Sequence, residues 1–191
     1  MEVITTPDPR LRKKSIKARF DDPEVAEIIE KMRKNTLEWE KKHPHELSAA
    51  MAAPQLGYNK RIIIVRDDFD DKENRHFTAL LNPEVIKAEG PVVKDHEGCL
   101  SVPKYYGLVP RHEKVKVKAF LEDGKEVRLK ADGFLARTLQ HEIDHLNGVL
   151  FIDHIKDDPE AWFYIDDEDG ELKPIEDFSE VENNKDLWPD D

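Results

Sequence analysis

The pentad His141-Glu142-Ile143-Asp144-His145 constrains this chain more than any other feature. From Gly133 onward, Leu135, Leu139, Ile143 and Leu146 recur at helical spacing, so the sequence predicts a helix ending near Asn147-Gly148. Residues four apart lie on one helix face, one turn above each other. His141 and His145 can therefore share a cation, and Glu142 can reach a water beside it. The alternative is an amphipathic helix whose histidines are merely polar surface. Leu139 and Ile143 flank the histidines, which argues for a central helix instead.

The remaining segments supply what would surround such a helix. Residues 22–42 read as a second helix, with Asp22 as cap, Pro23 at the first position and Val25, Ile28, Ile29, Met32 and Thr36 on one face. His43, Pro44 and His45 should end it at a solvated terminus. RIIIVR (61–66) reads as a short buried strand, and 76–86 as a strand that bends or ends at Asn82-Pro83. Residues 114–121 alternate Val115, Val117 and Ala119 with Lys114, Lys116 and Lys118, reach Leu121, then turn through Glu122–Lys125 into a second alternating run. The expected class is α+β: small antiparallel sheets around a central metal-binding HExxH helix, with an N-terminal helix and an acidic C-terminal tail.

Charge divides the chain. Residues 156–191 hold 15 acidic and 3 basic side chains and account for the whole net charge of -12. The expected organisation is a catalytic domain over 1–155 and an acidic extension over 156–191, irregular or partly disordered. A neutral body with an acidic tail has no surplus cation for phosphates, so no direct nucleic-acid binding is expected. No apolar run approaches the ~18 residues a membrane helix needs, and the N-terminal residues lack a signal-like core. The single cysteine cannot form an internal disulfide, and a cytoplasmic location is expected.

That cysteine, Cys99 in HEGCLSVP (96–103), is a soft donor for the third position that a catalytic metal needs from protein. Taken alone, a lone cysteine is more often buried filler; the HExxH helix reverses that balance. Gly98 lets the backbone come close, and Pro103 stiffens the chain just beyond the cysteine. A third segment, Ser48-Ala49-Ala50-Met51-Ala52-Ala53-Pro54-Gln55, has small side chains and one amide donor, Gln55. By itself it reads as well as a packing seam.

Together, AAPQ (52–55), EGCLS (97–101) and QHEIDHLNGVLF (140–151), in this order and spacing, resemble the three signature motifs of peptide deformylases. The resemblance runs from about Pro7 to His154 and leaves the tail outside. It implies that Cys99, His141 and His145 hold one divalent ion, natively Fe2+ in many members, with Zn2+, Ni2+ or Co2+ as substitutes. It implies Glu142 as the acid–base residue, with Gln55 and the backbone N–H of Leu100 binding the formyl oxygen. The substrate would be the N-formylmethionyl end of a nascent polypeptide, and the product formate. Glu97 and Arg111 match family positions, where a salt bridge would steady the Cys99 loop. The methionine pocket is expected between Ala49, Ala50 and Met51 and the start of the metal helix, at Leu135 and Thr138.

Two departures from the family pattern stand out. Ser48-Ala49-Ala50-Met51 replaces the usual Gly-x-Gly-Leu, altering the wall beside the substrate. The acidic tail replaces the Lys- and Arg-rich terminal helix with which several bacterial members dock on the ribosome, so any ribosome association would use another surface. The rival readings are a generic HExxH metallopeptidase, with His154 or a tail acid as third ligand, and a deformylase-like metalloprotein with altered acyl-peptide specificity or a binding role only.

Overall fold

The computed structural model describes residues 2–42, 47–71, 73–166 and 170–188. The elements in order are α1 (Pro23–Lys42), β1 (Ala50–Ala52), β2 (Ile62–Arg66), β3 (Phe77–Cys99), β4 (Val102–Phe120), β5 (Glu126–Asp132) and α2 (Gly133–Leu146). β6 (Trp162–Ile165), β7 (Leu172–Pro174) and the short α3 (Ser179–Glu182) complete the chain. α1 starts as its sequence dictates, the Asp22 carboxylate accepting from the Glu24 N–H at 3.0 Å. The stop expected at His43-Pro44-His45 lies outside the described residues.

β2 is buried along its whole length because helices cover both faces of the sheet there. Ile62 and Ile64 join Val25, Ile28, Ile29 and Met32 of α1, whereas Ile63 and Val65 join Leu139, Ile143 and Leu146 of α2. Side chains alternate faces along a strand, so one apolar run serves two cores.

The several small sheets expected are one seven-stranded antiparallel sheet. Its order is β1-β2-β3-β4-β6-β7, with β5 also paired to β4. The strand expected to bend or end at Asn82-Pro83 instead runs on to Cys99 and absorbs the proline in a bulge between Leu81 and Glu84. Asn82 takes φ 52° there, a conformation asparagine tolerates. Its side-chain amide bonds both backbone groups of Ala18, at 2.8 and 2.9 Å.

The tail differs from the irregular run expected. β6 pairs with β4 through Tyr105–Tyr164, Tyr106–Phe163 and Gly107–Trp162, and β7 pairs with β6. Trp162, Val181 and Leu187 are buried in a third core with Val102, Val109, Phe151 and Ile155. These apolar anchors, spaced among the acids, hold the described tail on the body. No helix among the described residues is long and apolar enough to cross a membrane.

Candidate active site

Long pairing of β3 with β4 delivers the Cys99 loop to the flank of α2. The register runs from Leu81–Phe120 to Cys99–Val102, so the ribbon ends where the cysteine sits. Gly98 faces Tyr106 across the ladder, and a Cβ there would collide with the tyrosine ring. Glycine is required at this point because an aromatic side chain lies against its backbone. α2 stops at Leu146, and Gly148, at φ 76°, passes so close to the Arg12 carbonyl that only glycine fits.

One donor atom from each of Cys99, His141 and His145 falls within 4.8 Å of the others. Cys99 Sγ lies 3.2 Å from His145 Nε2. His141 Nδ1 lies 2.9 Å from the Glu97 carboxylate, which fixes its N–H on that side and turns Nε2 toward the cluster. Burial holds His145 well below the usual histidine range, the neutral form that ligation requires. One thiol and two imidazoles, pre-assembled and largely buried, suit a divalent transition metal.

Glu97 anchors the cluster from behind. Its carboxylate accepts from Arg111 Nε at 2.9 Å and Nη2 at 3.1 Å, and from Arg137 Nη1 at 2.8 Å. Burial pushes this carboxyl up, but the hydrogen bond to His141 and the Arg111 guanidinium outweigh it and hold it well below the usual range. Arg111 also pairs with Asp144, which accepts from His154 Nε2 at 2.7 Å. The chain Arg137–Glu97–Arg111–Asp144–His154 thus ties the β3–β4 ribbon to α2. The Glu97–Arg111 pair expected from sequence is present, and Arg137 adds a second guanidinium. Its position one turn before His141 on the same face was the signal that would have found it.

Glu142 lies beside the cluster with different surroundings. It is 5% exposed, and its Oε2 has no hydrogen-bond partner among the described residues. Burial pushes its carboxyl up to about 7. Gln55 is held by the Ala52 N–H, which donates to its Oε1 at 2.8 Å. The Nε2 thereby faces Ser101 Oγ at 3.2 Å and Cys99 Sγ at 3.6 Å.

A cavity of about 1330 Å³ opens onto these groups. Gln55, Glu97, Cys99, Leu100, Thr138, His141 and Glu142 line it, with Ala49 and Ala50. Arg66, which pairs with Glu40 of α1 and donates to the Ser48 carbonyl at 3.2 Å, steadies the segment before them. Met51 and Leu135, expected in the methionine pocket, are outside the lining. Met51 is fully buried on the α1 face, because a strand turns successive side chains to opposite sides. Leu135 packs into the α2 core, and its neighbour Phe134 takes the place at the cavity. Trp39, Leu47, Tyr105 and Tyr106 also line it and carried no motif in the sequence. Arg111 and the histidine at 154 lie on the far side of the cluster, around a second pocket.

Comparison with known proteins agrees with this architecture. The polypeptide deformylase family model matches residues 1–160. A peptide deformylase of Thermomicrobium roseum is 44% identical over 172 residues, covering 88% of this chain and 93% of the relative. One from Halothermothrix orenii is 54% identical over 105 residues, 55% of this chain and 65% of the relative. Among solved structures, a Synechococcus elongatus peptide deformylase in complex with actinonin has a TM-score of 0.68 at 37% identity, covering 81% of this chain and 78% of that one. A probable peptide deformylase from Synechococcus phage S-SSM7 has a TM-score of 0.71 at 37% identity, covering 81% and 99%. With a family match over residues 1–160 and a relative 44% identical across 88% of its length, the chain belongs to the polypeptide deformylase family.

Proposed function

We propose that Cys99, His141 and His145 hold one divalent ion and that Glu142, Gln55 and Leu100 carry out hydrolytic removal of the formyl group from N-terminal formylmethionine. The catalytic unit is residues 1–155. The observation that carries this reading is the buried Glu142 carboxylate, with an oxygen unpartnered among the described residues, in the cavity that Cys99 and His141 also line. A purely metal-binding module has no use for such a base.

The bound ion, natively Fe2+ with Zn2+, Ni2+ or Co2+ as substitutes, supplies Lewis acidity and makes water a stronger nucleophile at neutral pH. Glu142 accepts the proton of the attacking water and then returns it to the leaving amine. Gln55 Nε2 and the Leu100 N–H donate to the formyl oxygen as it gains charge, each such donor contributing ~3–4 kcal/mol. Ala49, Ala50, Phe134 and Thr138 form the apolar side of the methionine site. Glu97 orients His141 and, through Arg111 and Arg137, keeps the Cys99 loop against α2. The substrate is the formylmethionyl end of nascent chains in the cytoplasm.

Substituting Cys99 separates this reading from a generic HExxH peptidase. Cys99→Ala should lose bound metal and formate release together. Retention of both would return the third-ligand role to His154 or an acid.

A further inference from the structure

The cavity is larger than the ~300–1,000 Å³ that usually accommodates a small molecule, so a formylmethionyl group leaves part of it for the next residues of the peptide. That outer part is walled by the C-terminal extension. Asp166, Pro174, Glu176, Asp177 and Glu180 belong to the lining, and all lie beyond residue 160, where the family match ends. They are held there by the pairing of β6 with β4 at Tyr105 and Tyr106, immediately after the Cys99 loop. The wall therefore lies beyond the segment that the family model matches.

Its charge is one-sided. Lys173 is paired with Asp166, and Arg137 is tied to Glu97. Lys104 is then the other cation of the lining, set against Glu176, Asp177 and Glu180. The unpartnered oxygen of buried Glu142 marks where the formyl end must sit in the same cavity. A peptide whose formyl end is fixed there has the acidic tail wall in the same cavity for its later residues.

We propose that the tail wall selects formylmethionyl chains carrying Lys or Arg in the residues just after the methionine. This rests on the deformylase reading and names the substrate class that this chain favours. The pairs formed are partly solvated, so the expected preference is about five-fold and sensitive to salt.

Formate release from formyl-Met-Ala-Lys-Lys, formyl-Met-Ala-Ser-Ser and formyl-Met-Ala-Glu-Glu by the metal-loaded full chain tests it. Wild-type protein should show kcat/KM in that order, mainly through KM, with the spread collapsing at high ionic strength. The double variant Glu176→Gln, Glu180→Gln should narrow the Lys-to-Glu ratio, and Glu176→Lys, Glu180→Lys should invert it. Asp177 is left in place because it accepts from the Ser179 N–H and hydroxyl. Equal kcat/KM for the three peptides, or a preference that survives both variants, would overturn the inference while leaving the deformylase reading intact. No release from any peptide would overturn both.

Discussion

Glu142 owes its proton affinity to burial, the largest influence on it, while the His141 charge pulls the other way. Glu142→Gln should keep the metal yet lower kcat by ~10²–10⁴-fold, read by metal analysis beside formate release. A bound cation draws the carboxyl down, so kcat/KM should fall on the acid side at or below about pH 7, as the base becomes protonated. Gly98→Ala meets the Tyr106 ring and should cost ~1–3 kcal/mol in denaturant unfolding, since an aromatic wall has to shift. His141, Glu142 and His145 were legible because helical spacing converts directly into proximity, whereas Cys99 was legible only beside the HExxH helix and Gln55 only through the resemblance of its motif. Met51 and Leu135 were misplaced because composition marked them as apolar walls but did not reveal which face each element turned to the cavity. That information lies in the sheet's pleat and in the helix's packing, not in the residues alone.

The buried charge network is what joins the β3–β4 ribbon to α2, and its pH dependence has a definite sign. Glu97 and Asp144 are both held below their ordinary carboxyl range in spite of burial, by hydrogen bonds from His141 and His154 respectively and by Arg111. Their folded values lie below the unfolded ones, so their stabilisation is present above about pH 4.5 and lost as pH falls further. Acid unfolding monitored by circular dichroism should therefore steepen below that point, and Glu97→Gln should flatten it. Arg111→Met leaves the buried Glu97 and the half-buried Asp144 beside a missing partner and should cost ~3–5 kcal/mol. The helices α1 and α2 were readable from their periodicity and caps. β3 was readable only in its first part, up to about residue 86, because the rest runs beyond the core and is exposed on both faces, which erases the alternation that marks a strand.

In the molecule as a whole, the described residues of the acidic extension pack onto the body. Trp162 is fully buried, edge-to-face against Tyr105 at 6.2 Å, and its indole N–H donates to the Ile155 carbonyl at 3.1 Å. Ending the chain at residue 161 should uncover Phe151, Val102 and Val109, cost at least ~3–5 kcal/mol and lower Tm by several degrees. The aromatic residue Trp162 marks an anchor at the start of the extension, but net charge hid the rest from the sequence: Val181 and Leu187 are few, and too far apart to show a period among so many acids. The catalytic half was legible because three motifs with chemical meaning converge on one site. The measurement that tests this convergence most directly is formate release from formyl-Met-Ala-Ser by protein carrying one equivalent of divalent metal, beside Glu142→Ala carrying the same load. Release by the wild type, lost in the variant at equal metal content, is the expected result. No release from metal-loaded wild type, or equal release by both proteins, would contradict the assignment of Glu142 and the cluster beside it.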